Sequence, residues 1–259
     1  MIPHSLSIIN YHKIEKNIDI GLTTRHPDQF RDDLEVIIDN GYTPITFHDL
    51  YSKRNIPEKP LIITFDDGYL SFYDTALAIL KQHKMKAVIF IPVNYIGQKN
   101  KWDVQFFKKE YWHMDKKQIV DVADEGMEIG SHALSHCYLN DMNNQNLKHE
   151  LKKSKQLLEE MTGNEVIAIS YPFGRVNKKV LSLAKEFYKY GVQLLHSNTF
   201  DSQFQSLCLT RINIYRTDNR KNFMKKLEYT KYPWLRLQNR LIQSGALATV
   251  LMQKITKPT

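Results

Sequence analysis

Leu61-Ile62-Ile63-Thr64-Phe65-Asp66-Asp67-Gly68-Tyr69 decides how the rest of the chain is read. A short apolar run closed by Asp-Gly is the pattern of a strand buried on both faces that stops at a turn. The same unit recurs outward in both directions. Leu6–Ile9 reads as a strand ending at Asn10-Tyr11-His12, and Ala87–Ile91, Met127–Gly130, Val166–Ser170, Gly191–Leu195 and Leu209–Ile214 read as further strands. Helical spacing fills the intervals. A helix starts at Pro27, carries Phe30, Leu34, Ile37 and Ile38, and stops at Gly41. Others are predicted around 75–82, 116–123 and 147–161, the last ended by Gly163. Strand-helix alternation of this density predicts a parallel sheet with helices outside it. About eight strands without a linker or internal repeat favour a closed or nearly closed barrel, whose working residues lie at the C-terminal strand ends.

Composition narrows the class. The chain has 259 residues, 42% apolar and 25% charged, with only ten glycines and nine prolines, which is ordinary globular composition. No run of 18 or more apolar residues is present to span a bilayer. The opening Met1-Ile2-Pro3-His4-Ser5 lacks the pattern of an export signal, and Cys137 and Cys208 are too few for a disulfide framework. A cytoplasmic protein is therefore expected. The formal charge of +8 is carried after residue 215, where ten basic residues face two acidic ones. Such a tail suits an anionic surface such as phospholipid headgroups, or simply keeps the protein soluble.

Three strand ends carry unusual chemistry. Asp66 and Asp67 follow a buried strand directly, where carboxylates are costly unless something neutralises or uses them. One can bind a metal while the other serves as a base, and a plain Asp-Gly turn is the alternative. His132 and His136, four apart, can share a metal ion from one helical turn capped by Ser131. Ser170-Tyr171-Pro172-Phe173-Gly174 forces a tight turn at a third strand end, which can aim backbone N–H groups into a pocket. One aspartate and two histidines form a facial ligand set with open positions, and a spare carboxylate beside them is what water activation requires.

In this order, Thr64-Phe65-Asp66-Asp67-Gly68-Tyr69, Ser131-His132 through His136, and Ser170-Tyr171-Pro172-Phe173-Gly174 resemble the signature blocks of the polysaccharide deacetylase family. This family is the NodB homology domain, or carbohydrate esterase family four. Asn10-Tyr11-His12, the helix from Asp28, Asn40-Gly41-Tyr42 and Leu209-Thr210-Arg211-Ile212-Asn213-Ile214 resemble its poly-N-acetylglucosamine deacetylase branch. The resemblance covers roughly residues 5–228. It implies an α/β fold, a deformed (β/α) barrel of seven or eight mostly parallel strands. It implies that Asp67, His132 and His136 hold one divalent metal ion, zinc first, with cobalt, nickel or manganese as the other ions such a site takes. Asp66 would be the general base that draws a proton from the attacking water. The backbone N–H of Tyr171, in the turn made by Pro172, would help stabilise the oxyanion. The substrate would be an N-acetylated sugar of a glycan or glycolipid, and the products acetate and an amine.

Two elements of the family pattern are missing. The late Leu-x-His block, whose histidine protonates the leaving amine, is not clearly present. His12 is preferred for that role over His196, because the first strand adjoins the last in any closed barrel; a structural histidine is the alternative for each. The arginine-rich form of the third block is also absent, which leaves Arg175 and Arg211 as candidates to orient Asp66. Trp102 and the other aromatics between Asn94 and His113 either stack on sugar rings or pack on the body. Residues 1–228 are expected to form the catalytic domain, and 229–259 a basic amphipathic segment. That segment would touch a membrane peripherally at its inner face, where a lipid-linked sugar would be within reach. An O-acetyl esterase, a non-sugar amide hydrolase and an inactive sugar-binding homologue are the competing functions. No nucleic acid is expected.

Overall fold

The computed structural model describes residues 2–3, 5–16, 22–53, 55–100, 110–194, 200–232 and 234–235. In chain order its strands are β1 (Ser7–Tyr11), β2 (Lys13–Ile14), β3 (Thr24–Arg25), β4 (Thr43–Pro44), β5 (Pro60–Phe65), β6 (Val88–Ile91), β7 (Glu128–Ser131), β8 (Ala168–Ser170), β9 (Tyr190–Leu194) and β10 (Leu209–Asn213). The helices are α1 (Pro27–Asp39), α2 (Phe47–Ser52), α3 (Leu77–Gln82), α4 (Lys116–Asp124), α5 (Asn144–Thr162), α6 (Lys178–Ala184) and α7 (Arg220–Leu227).

Seven strands close a ring in the order β1-β10-β9-β8-β7-β6-β5, and β5 pairs back onto β1. Every pairing is parallel; Ser7 through Tyr11 lie opposite Leu61 through Phe65. The seven-stranded barrel agrees with the expected class. The two-residue β4 pairs with the start of β5, below the point where β6 takes over.

Side chains alternate along the strands and divide the core in two. Ile9, Leu61, Ile63, Phe65, Ile89, Ile129 and Ile212 join the apolar faces of α1, α3, α4, α5 and α6 in the layer outside the ring. Ile8, Ile62, Val88, Phe90, Ala168 and Val192 fill the interior, which Phe47 and Leu50 of α2 plug at the N-terminal end. Further along the same inward-facing positions come Asn10, Thr64, Ser170, Arg211 and Asn213, all buried. The interior is thus apolar at one end and polar at the other, which is where the strands' C-terminal ends lie.

Local signals account for the helices. His26 and Gln29 close a capping box over α1, with Pro27 at its first position; Ile38, expected inside, is 52% exposed. The helix expected around 75–82 begins earlier, as a π-helical turn over Phe72–Ala76 that runs into α3. Asn143 caps α5, and Gly163 ends it in the left-handed conformation. No helix among the described residues is long and apolar enough to cross a membrane.

Some of the basic residues after 215 are spent on ion pairs, one inside the fold and two at its surface. Lys226 is buried against Asp218, Arg220 pairs with Asp39, and Lys231 with Glu228. Leu235 is buried in the main core, while Trp234 stays half exposed beside Lys225. Residues 236–259, which carry the rest of the amphipathic segment, lie outside the described residues, as do Trp102 and His196.

Candidate active site

The two carboxylates at the end of β5 part company through the backbone. Asp67 has φ +70° and Gly68 φ +57°, a left-handed pair that turns the chain sharply. Glycine suits the second position, where φ is one that side chains rarely adopt and a Cβ would push Ile91 Cδ1, 2.5 Å away, aside. His113 holds this turn from behind: its Nδ1 donates to Asp67 O at 2.6 Å, and its ring stacks on Tyr69.

Asp66 turns into the barrel. Both its oxygens face the Arg211 guanidinium, Oδ1 accepting from Nη1 at 2.9 Å and Oδ2 from Nη2. Asn10 Nδ2 donates to Oδ2 at 3.3 Å. Arg211 also donates to Asn10 Oδ1 at 2.7 Å, Thr64 Oγ1 at 3.1 Å and Ser170 Oγ at 2.7 Å. Burial alone would raise the Asp66 carboxyl, but the charge of Arg211, helped by His132 and His12, holds it below the usual carboxylate range. The orienting partner of Asp66 is therefore Arg211. Arg175 makes no contact with Asp66 among the described interactions.

Asp67 turns the other way. Its Oδ1 lies 3.4 Å from His132 Nε2 and 3.3 Å from His136 Nε2. All three residues are buried, and their ligand atoms lie within 4.8 Å of one another. His132 follows β7, and its Nδ1 lies 2.7 Å from Ser170 O. A carbonyl only accepts, so Nδ1 carries a proton and Nε2 is the ring atom turned toward Asp67; burial lowers the ring's pKa, but the charges of Asp66 and Asp67 outweigh it and raise it. Burial pushes His136 down to about 3, so it is neutral and able to ligate at neutral pH. Asp67 Oδ1 is buried without a hydrogen-bond donor among the described residues, a costly arrangement that a cation between the three groups relieves. The donor set suits zinc-type coordination with open positions.

The structure alters two expectations here. His132 and His136 meet through an irregular loop, with Ala133 at φ +61° and His136 at φ +49°, not on a helical turn. Ser131 ends β7, and its Oγ accepts from Ala133 N at 3.1 Å. The Tyr171 amide, expected as the oxyanion donor, already donates to Val192 O at 3.2 Å, and its hydroxyl donates to Leu207 O at 2.8 Å. Both are tied up in bonds to β9 and to the turn before β10. Pro172 is buried and has no N–H to offer. Phe173, next in the turn, has φ +60° and sets its ring 5.0 Å from that of His136.

His12 follows β1, half-buried, close enough to Asp66 and Asp67 for its charge to favour both carboxylates. Of the aromatic segment, Tyr111 is buried under Lys13, whereas Trp112 is 45% exposed and lines an open cleft of about 240 Å³ with Ser71, Asp74 and Glu110. Asn10, Thr64, Ser170 and Asn213 were not among the expected site residues. Period-two counting from Ile8 and Ile62 places Asn10 and Thr64 inward, which was the available signal.

Comparison with known proteins bears on this geometry. YxkH of Bacillus subtilis (strain 168), named a polysaccharide deacetylase, is 32% identical over 195 residues, covering 73% of this chain and 64% of its own. A poly-beta-1,6-N-acetyl-D-glucosamine N-deacetylase of Staphylococcus epidermidis is 26% identical over 152 residues, 55% of this chain and 50% of that protein. The chain thus spans between half and two thirds of these curated relatives. The Streptococcus pyogenes deacetylase PplD, solved in complex with acetate, superposes with a TM-score of 0.71 at 26% identity, over 86% of this chain and 97% of that one. Residues 53–192, from the approach to β5 through most of β9, match the sequence profile of the polysaccharide deacetylases, and with both aspartates and both histidines in place the chain belongs to that family.

Proposed function

We propose that this protein is a metal-dependent hydrolase that removes N-acetyl groups from an N-acetylated glucosamine polymer. The observation that carries the proposal is the division of labour between adjacent carboxylates, Asp67 facing two imidazoles and Asp66 facing a guanidinium. Relatives named as deacetylases of poly-beta-1,6-N-acetyl-D-glucosamine and of peptidoglycan N-acetylglucosamine support the substrate class. Acetate in the S. pyogenes structure fits the small product.

Asp67, His132 and His136 would hold the ion, with zinc the natural choice for this donor set. When bound, a divalent ion there supplies a water of lowered pKa and polarises the acyl oxygen. Asp66 stays ionised under Arg211 and accepts the proton of the attacking water. Its Oδ1 takes one hydrogen bond against two on Oδ2, so Oδ1 keeps a lone pair for that proton. Attack at the acyl carbon places charge on the acyl oxygen beside the Ser170–Gly174 turn, where the Phe173 amide is the donor proposed in place of Tyr171. As the C–N bond breaks, His12, whose charge reaches both carboxylates, delivers a proton to the leaving amine. Half-exposed Trp112 offers an aromatic surface to a sugar ring, in a cleft whose other walls, Ser71, Asp74 and Glu110 among them, are mostly polar.

The test is acetate release from β-1,6- and β-1,4-linked N-acetylglucosamine oligomers, with metal content measured in parallel. Asp66→Asn is expected to retain its metal and lose about 10²–10⁴-fold in rate, and His132→Ala to lose the metal itself. Undiminished acetate release by Asp66→Asn would overturn the assignment, and acetate released from an O-acetylated sugar but not from these oligomers would move it to an ester substrate.

A further inference from the structure

The metal-ligand loop is held from outside the barrel by a carboxylate that takes no part in the chemistry. The buried stripe of α5 reads Leu147, Glu150, Leu151, Ser154 and Leu158, apolar but for two residues. Glu150 is 8% exposed. Its Oε2 accepts from Leu134 N and Ser135 N, both at 3.0 Å, and its Oε1 from Ser135 Oγ at 2.6 Å. All three donors belong to the stretch between His132 and His136. One turn along α5, Ser154 Oγ accepts from Ser131 Oγ at 2.9 Å, and Ser131 Oγ in turn accepts from Ala133 N. His132 N donates to Ile91 O at 2.9 Å. Every backbone N–H from His132 to Ser135 is thereby placed, two of them on one carboxylate.

This loop needs such a hold. Ala133 and His136 are both left-handed, a conformation that side-chain-bearing residues adopt at a cost and keep only when their surroundings enforce it. A ligand must be held to about half an ångström to be useful. Hydrogen bonds to an ionised acceptor are the strong kind, and two consecutive amides aimed at one oxygen fix the peptide planes on either side of Leu134. We infer that Glu150 is a positioning residue of the metal centre, which keeps His136 in register with His132 and Asp67 by bonding the loop that joins them. The role rests on the metal-centre reading above.

The experiment uses the full chain, stripped of metal and titrated with Zn2+ against a chromophoric chelator, and with Co2+ followed by its visible bands. Glu150→Ala is expected to bind Zn2+ about 10- to 100-fold more weakly and to shift the Co2+ bands. Glu150→Gln, whose amide oxygen can still accept from the two backbone amides, should recover most of that loss. Leu147→Ala, on the same stripe, controls for packing; it should lower the melting temperature and leave Zn2+ affinity unchanged. If Glu150→Ala does not fold, Glu150→Gln and Ser135→Ala carry the test, each with a loss of several-fold. Affinity within twofold of wild type in a folded Glu150→Ala, or an equal loss in Leu147→Ala, would overturn the role. A wild-type chain that takes up neither ion would instead remove the metal centre, and Glu150's part with it.

Discussion

Among the described residues Arg211 is the largest side chain completely buried; its two terminal nitrogens donate to Asp66, Asn10, Thr64 and Ser170, while its Nε has no partner there. A buried ion pair of this kind contributes little over a well-packed apolar pair, but breaking it leaves a charge stranded. Arg211→Ala is therefore expected to destabilise the fold by about 3–5 kcal/mol, read from denaturant unfolding. Adding Asp66→Asn to Arg211→Ala should recover a large part of that loss, since no unpaired charge remains. Additive losses in the double variant would show that packing, not charge, dominates. Arg211→Lys keeps the charge but not the two-pronged geometry, and should lower acetate release by at least about tenfold without changing metal content. The pairing of Arg211 with Asp66 joins residues 145 positions apart. Nothing local in either stretch announces it, so the sequence could only offer Arg211 and Arg175 side by side.

At the scale of elements, the strands that form the ring were legible because they are buried on both faces and read as short, largely apolar runs that turn polar at their C-terminal ends. The two-residue β2, β3 and β4 bury too little to leave such a trace, and the six-residue α2 is too short for a helical period to emerge. The histidine loop was misread for a physical reason. Spacing of four suggests a helix, but the same approach is made here by two left-handed residues and a carboxylate supplied by α5. At the far end of β7, Glu128 accepts from His48 N at 2.9 Å beneath α2, and burial pushes its carboxyl up to about 7 from an ordinary 4.5. The folded state therefore keeps a proton that the unfolded chain releases above about 4.5. The stabilisation is complete below that pH and is lost as pH rises through about 7. Glu128→Gln should match wild type near pH 5 and exceed it at pH 8 by on the order of 2 kcal/mol. Parallel melting curves for the two proteins across this range would contradict it.

For the molecule as a whole, closure rests on β1, which pairs with β5 on one side and β10 on the other. Amides of β1 and β5 should exchange with solvent only through global unfolding, and those of the peripheral β2–β3 pair much sooner, as read by hydrogen exchange. Early exchange in β1 would mean that the ring opens at that seam. The same closure governs how the protein comes into being. Asn10 on β1, Asp66 just after β5 and Arg211 on β10 leave the ribosome with the first, second and last of the seven strands. A nascent chain that stops short of β10 has two bare sheet edges and an acid whose counter-charge has not been made. Translation of the final stave closes the ring and supplies the counter-charge in one event, so a polypeptide interrupted before it is an open ribbon with an unmatched acid.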